Sequence, residues 1–270
     1  MKKLTSKEKT VYGIGITSII LSFVIFNSIL ISLFSTFVIL ILLEQRYILE
    51  KLLQKNNHHF QQIESLISLY SFLEFKHPFP SMRGMAASPD FLKLIAENII
   101  AAKPKIIVEL GSGTSTLIAA KTLEKYAEGK IYSIENDAFF ADQSRKAISE
   151  ESLSNIANVL HAELKPITIN GESYQWYDSE FITKIEEKID LLIVDGPPRI
   201  LNKNARYPAL PQLKSQFTKN TIIIMDDANR KDDAATAAIW EKELGNYQCE
   251  YKATEKGTFI LSPKEINAAR

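Results

Sequence analysis

Residues 105–116 read KIIVELGSGTST, and this stretch decides the fold. Ile106, Ile107 and Val108 form a short apolar run of the kind found in strands covered on both faces. The run ends on a carboxylate, Glu109, and passes into Gly111 and Gly113, which let the backbone turn sharply and come close to a ligand. Ser115 or Thr116 can cap a helix that begins there. Strand, glycine turn and helix start together make a nucleotide loop. The third glycine of the dinucleotide fingerprint is absent, because position 116 is threonine. Glu109 at the foot of the loop repels a pyrophosphate and favours a cationic amino-acid group.

On either side of this stretch, short Ile/Val/Leu-rich runs alternate with helical ones. Strands are predicted at 105–110, 130–135, 157–161, 189–195 and 220–226, with two more near 247–253 and 258–262. Helices are predicted at 115–126, 138–152, 179–187, 207–218 and 231–243. Another begins at Ser88-Pro89-Asp90, where a serine cap, a first-turn proline and a carboxylate stand together, and runs to about Ala102. Such alternation implies a parallel sheet with helices on both faces.

The second strand ends in Glu135, about two dozen residues beyond Gly111, where an acid accepts hydrogen bonds from ribose hydroxyls. The third ends in His161-Ala162-Glu163, where an adenine ring would lie. Glu109 to Thr116, Glu135 and the strand series resemble the class I S-adenosylmethionine-dependent methyltransferases over about residues 80–262. The resemblance implies a Rossmann-like sheet of seven strands in the order 3-2-1-4-5-7-6, the seventh antiparallel. It places Glu109, Gly111, Ser112, Gly113 and Ser115 around the methionine end of S-adenosylmethionine, Glu135 on the ribose, and Ala162 and Glu163 beside the adenine.

The fourth strand ends in Asp195-Gly196-Pro197-Pro198-Arg199 and the fifth in Asp226-Asp227. Three carboxylates at the carboxyl ends of central strands repel one another unless a cation or protons compensate, and hard oxygen ligands suit Mg²⁺. The arrangement is similar to that of metal-dependent O-methyltransferases of the catechol and macrocin type. That likeness implies Asp195, Asp226 and Asp227 as metal ligands, Asp195 and Asp227 as catalytic groups, and Asp195 as a further cofactor contact. The lysine base of the catechol-type enzymes is missing, since prolines occupy that stretch and Arg199 is the first ionisable group. On the residues alone, Asp195 could instead orient cofactor while Asp227 caps the next helix. The paired prolines also resemble the Asp/Asn-Pro-Pro-aromatic motif of amino-methylating enzymes, but Gly196 intervenes and Arg199 replaces the aromatic. Met82-Arg83-Gly84 and Arg206-Tyr207-Pro208 are loop residues able to meet an anionic ligand, with Arg83 the preferred contact for an acidic sugar or carboxylate, and Trp176-Tyr177 could form a substrate wall.

Residues 11–43 carry no charged side chain. As a helix they span about 50 Å at ~1.5 Å per residue, more than the ~30 Å of bilayer hydrocarbon. The run is too long for a signal-peptide core. A membrane anchor is therefore expected over 1–43, an amphipathic helical stalk able to self-associate over 44–79, and the catalytic domain over 80–270. Lys2, Lys3, Lys7 and Lys9 precede the run and Arg46, Lys51 and Lys55 follow it, which favours both flanks being cytoplasmic. A hairpin of two spans turning at Asn27-Ser28 satisfies this, and a single tilted span is the other arrangement.

The 32 basic and 32 acidic residues balance, and no basic stripe with interleaved aromatics suggests nucleic acid. Cys249 is the only cysteine, which excludes an intrachain disulfide and points to an inert thiol. The sequence thus predicts an O-methyltransferase at the cytoplasmic face of a membrane, acting on a small-molecule, glycan or lipid-linked acceptor. A non-catalytic tethered protein of the same fold is the alternative.

Overall fold

The structure, a computed structural model, describes residues 6–80, 82–84, 86–185 and 187–264. The chain divides into two compact units, Met1–His59 and Phe60–Arg270. Lys2 and Lys3 lie outside the described residues.

The first unit is helical throughout its described length. Helix α1 (Ser6–Phe72) runs unbroken through Asn27-Ser28, so the expected hairpin turn is absent. Isolated Asn and Ser do not break a helix when their polar groups are met locally. Here Ser28 Oγ donates to Val24 O (2.9 Å) and Thr17 Oγ1 to Gly13 O (2.7 Å). Phe23, Leu33 and Phe34 are each about two-thirds exposed, and the helix over Lys9–Phe72 is long and apolar enough to cross a membrane.

The second unit opens with the last turns of α1. Gln62, Ser65, Leu69 and Leu73 recur at spacings of three and four and are buried, whereas Phe60, Ile63, Ile67 and Tyr70 remain exposed. The apolar stripe expected of the stalk is therefore split, and only part of it packs on the domain. Gln62 Nε2 donates to Asp90 Oδ2 (2.6 Å) at the start of α2 (Pro89–Ala102). Ser88 does not cap this helix with its side chain. Its hydroxyl donates to Asp90 Oδ1, which also accepts from Phe91 N.

Seven strands form one sheet. In chain order they are β1 (Ile106–Leu110), β2 (Lys130–Glu135), β3 (Ala157–His161), β6 (Ile189–Val194), β7 (Phe217–Asp226), β8 (Tyr247–Lys252) and β9 (Thr258–Pro263). They lie in the order β3-β2-β1-β6-β7-β9-β8, with β9 antiparallel to both neighbours. This is the expected 3-2-1-4-5-7-6 sheet of the Rossmann-like methyltransferase fold. The two numberings differ because a separate hairpin intervenes: β4 (Leu164–Ile169) and β5 (Glu172–Tyr177), turning at Asn170-Gly171.

The sheet is covered on both faces because successive side chains on a strand point to opposite sides. Ile107, Leu191, Ile193, Ile222 and Ile224 pack with α2 and with α3 (Thr114–Tyr126). Val108, Leu110, Leu192, Val194, Ile223 and Met225 pack with the hairpin, α5 (Ala209–Leu213) and α6 (Lys231–Leu244). The predicted helix at 179–187 is a 3-10 turn over Ser179–Lys184, and that at 207–218 contracts to α5 and one 3-10 turn. Helix α4 (Ala138–Glu150) ends beside Glu151, a buried carboxylate that accepts from Lys76 N and His77 N and so ties the segment after α1 to the domain.

Candidate active site

The parallel strands β1, β2, β6 and β7 all end at one edge of the sheet, so their following residues converge there. Gly111 N donates to Ile134 O (2.8 Å) and Asp195 N to Leu110 O (2.9 Å), which joins three of these strand ends. Gly111 has φ +95°, and a Cβ there would stand 3.3 Å from the backbone of Asp195 and Gly196. Any other residue would be strained and crowded. By contrast, no heavy atom lies within 4 Å of where a Cβ on Gly113 would be, so the loop is open on that side.

Glu109 lies beneath the loop and is fully buried. Its Oε2 accepts the hydroxyls of Thr116 and Ser133, while Oε1 has no hydrogen-bond partner. Burial pushes its pKa up to about 7. A buried carboxylate with an unused oxygen is costly unless a donor or cation meets it. Its negative potential, acting through the glycine loop, favours a cationic group on the ligand side. Thr116 rather than Ser115 completes the start of α3, its Oγ1 accepting from Gly113 N (3.0 Å). Ser115 is buried close to Glu109.

Glu135 sits where the sequence placed it, at the end of β2. Its Oε2 accepts from Ser112 N (2.9 Å) and Ser112 Oγ, and its Oε1 from Asp137 N (3.0 Å). A carboxylate has about four acceptor positions, so capacity remains for hydroxyls of a ligand. Ala162 N donates to Glu135 O (2.8 Å), which sets Ala162 and the exposed Glu163 at the rim of the same edge.

Asp195, Asp226 and Asp227 also come together, each offering a carboxylate oxygen within 4.8 Å of the others. Asp195 is the accessible one, with 18% of its side chain exposed. Asp226 is 0% and Asp227 3% exposed. The cation among them comes from the loop between β6 and β7. Arg206, 2% exposed, donates from Nη2 to Asp195 Oδ1 (3.0 Å), Asp195 O (2.9 Å) and Asp227 Oδ2 (2.6 Å), and from Nη1 to Asp226 O (2.7 Å).

Two further cations reach the cluster. Arg230 Nη1 lies 2.6 Å from Asp227 Oδ2 and Lys256 Nζ 3.8 Å from Asp226 Oδ2. A fourth acid, Asp233, is buried with Oδ1 3.8 Å from Arg206 Nε. Burial opposes the charge on Arg206, but Asp195, Asp233, Asp227 and Asp226 outweigh it and hold its pKa above the ordinary value. Burial, and then Asp195 and Asp227, push Asp226 up to about 8. Burial also raises Asp195, against the pull of Arg206.

The backbone beside Arg206 is tied down through Tyr207. Tyr207 Oη donates to Glu243 Oε1 (2.8 Å) and accepts from Asn170 Nδ2 (3.1 Å), and its backbone O accepts from Trp240 Nε1 (3.1 Å). The hairpin turn thus helps fix the site. The other candidates fall elsewhere. Arg83 is engaged by Glu255, with Nε 2.8 Å from Oε2, and this occupies the charge expected to meet an acidic acceptor. Trp176 and Tyr177 are each 1% exposed, core residues rather than a substrate wall. Tyr177 Oη has no hydrogen-bond partner and abuts Gly196, where a Cβ would come within 2.2 Å of it. Cys249 is half-buried and burial pushes its thiol up to about 11, as an inert cysteine requires.

Residues 108–228 match the family model described as a methyltransferase domain. No curated protein matches the sequence. Among solved structures, the chain is similar to an O-methyltransferase from Bacillus cereus solved with SAH, at 16% identity and a TM-score of 0.50, over 75% of this chain and 90% of that one. It is similar to the O-methyltransferase of tomaymycin synthesis from Streptomyces achromogenes, solved with SAM, at 13% identity and a TM-score of 0.50, over 66% and 82%. It is also similar to a provisionally assigned caffeoyl-CoA O-methyltransferase from Staphylococcus aureus, at 14% identity and a TM-score of 0.52, over 80% and 99%. At such identities these likenesses establish the fold.

Proposed function

We propose that this chain, whose residues 108–228 match a methyltransferase domain, is a membrane-anchored methyltransferase that transfers the methyl group of S-adenosylmethionine to a hydroxyl of a membrane-associated or glycan acceptor. The observation that carries the cofactor assignment is the buried Glu109 carboxylate beneath a glycine loop that is open on its Gly113 side. It suits the ammonium group of a methionine moiety and disfavours a pyrophosphate. Glu135 then receives the ribose hydroxyls, and Ala162 and Glu163 border the adenine. The solved O-methyltransferases of the same fold, bound to SAM or SAH, support oxygen as the acceptor atom.

S-Adenosylmethionine supplies an electrophilic methyl group on a sulfonium, which an oxygen nucleophile displaces in line. The work left to the chain is to align the two partners, exclude water and remove one proton. Asp195 is the carboxylate an acceptor hydroxyl reaches, because Asp226 and Asp227 are closed off. Its raised pKa makes it a stronger base than an exposed aspartate. Asp227 serves catalysis by holding Arg206 and Arg230 in place. Arg206 keeps its proton throughout and acts as a fixed charge.

The anchor reading rests on the uncharged, exposed run within α1. An unbroken helix crosses once, so Lys7 and the catalytic domain stand on opposite sides. Basic residues flank the run at both ends and do not decide the orientation. The cofactor does, because it is made in the cytoplasm, which puts the catalytic domain there and the N-terminus outside. The exposed Phe60, Ile63, Ile67 and Tyr70 fit self-association of the stalk. Incubating membranes that contain the protein with methyl-labelled S-adenosylmethionine, and fractionating lipid, glycan and soluble pools, tests the function. Labelling of none of them, together with no binding of the cofactor by the purified chain, would refute it.

A further inference from the structure

Resting on the reading of this edge as a methyl-transfer site, we infer that Arg206 takes the place of a divalent metal between Asp195 and Asp227. A six-coordinate Mg²⁺ requires carboxylate oxygens at ~2.0–2.1 Å in near-octahedral array. Two of the oxygens it would draw on, Asp195 Oδ1 and Asp227 Oδ2, are already held by a single nitrogen, Arg206 Nη2, at 3.0 and 2.6 Å. Asp227 Oδ2 is further shared with Arg230.

The guanidinium cannot step aside cheaply. It is 3% exposed, and its Nη1 and Nη2 also hold the backbone carbonyls of Asp226 and Asp195. Moving it would break hydrogen bonds to two strand ends at once and leave a buried charge unpaired. Arg206 and Arg230 already lie against Asp195 and Asp227, while the Asp226 carboxylate, whose oxygens take no hydrogen bond, faces Lys256 at 3.8 Å. The planar fork gives a fixed geometry that a mobile lysine would not.

The consequence concerns the acceptor. A metal site grips its substrate by chelating vicinal oxygens and lowers the pKa of one of them. Here Arg206 occupies the oxygens that such a grip would use, so an isolated hydroxyl suffices and vicinal oxygens are not required of the acceptor.

The test uses the full chain in detergent, stripped of metal by chelator. Mn²⁺ is titrated in and free Mn²⁺ is read by electron paramagnetic resonance, while calorimetry follows S-adenosylmethionine in parallel. The wild type is expected to bind no Mn²⁺ at this site and to bind the cofactor equally well with chelator present. Arg206→Met, which removes the charge at similar length, is expected to gain one Mn²⁺ that is lost again in Arg206→Met/Asp227→Asn. Arg206→Lys keeps a charge and is expected to exclude the metal still. Stoichiometric Mn²⁺ on the wild type that disappears in Asp227→Asn would overturn the inference. So would a folded Arg206→Met that takes up none. If Arg206→Met does not fold, the wild-type and Arg206→Lys titrations decide by the same criteria. A wild type that binds neither cofactor nor Mn²⁺ defeats the cofactor reading while leaving the cation assignment standing, so the two failures are distinguishable.

Discussion

Glu109→Gln is expected to stabilise the cofactor-free protein while weakening its hold on S-adenosylmethionine. Burial moves the carboxyl pKa from 4.5 to about 7. The unfolded chain therefore releases this proton near 4.5 and the folded chain only near 7. Across that window the folded state binds more protons than the unfolded one, so stability falls as pH rises and is flat above it. At about 1.4 kcal/mol per pH unit, the loss is on the order of 3 kcal/mol. Glutamine is neutral throughout, and its amide oxygen can still accept the Thr116 and Ser133 hydroxyls. Denaturant unfolding of the two proteins should give a small difference at pH 5 and one on the order of 3 kcal/mol in favour of Gln at pH 8. Calorimetry should show wild-type cofactor affinity rising with pH through about 7, as Glu109 becomes charged. The variant should lack this rise and bind more weakly by roughly 1.5–3 kcal/mol, the value of a hydrogen bond to a charged group. A variant destabilised equally at both pH values, or one with unchanged affinity, would refute the reasoning.

Glu135→Ala should weaken S-adenosylmethionine by about tenfold to a hundredfold in calorimetry, with Glu135→Asp intermediate, because charged acceptors for the ribose hydroxyls are lost. Gly196→Ala should lower stability by roughly 1–3 kcal/mol, since its Cβ meets Tyr177 Oη in a packed core, and Tyr177→Phe should relieve much of that in a double-mutant cycle. In a Cys249→Ser background, Lys7→Cys should react with an impermeant thiol reagent in intact cells and Asn56→Cys should not. Protection at both positions would mean that the chain re-enters the membrane rather than crossing once. Ile63→Cys, on the exposed face of α1, should form a disulfide-linked dimer under mild oxidation in membranes if the stalk self-associates, whereas the buried Leu69→Cys should not.

The sequence by itself determined the sheet. Its strands are short apolar runs buried on both faces, and that signal is local, so β2 and β3 were placed to the residue and the other strands nearly so. It also placed the glycine turn after β1, because glycines at 111 and 113 and acids at 109 and 135 sit at fixed offsets from strand ends. The β4–β5 hairpin was legible but unread. Asn170-Gly171 is a strong turn signal, yet Lys165, Pro166 and the polar residues of β5 obscured the alternation beside it. Composition could place a long apolar run but not its path. Asn27-Ser28 looked like a turn, and only the fold showed the Ser28 hydroxyl bonded back within a continuous helix. Arg206 is a candidate from the sequence, but its place among the aspartates was not legible there, for a different reason. It stands in an irregular loop with no periodicity, 11 residues after Asp195 and 21 before Asp227. Three converging aspartates announce that a cation is needed, since like charges in a buried space must be compensated. Whether a metal or a side chain supplies it depends on where the loop is carried, and here Tyr207, Asn170, Trp240 and Glu243 carry it into the centre of the site.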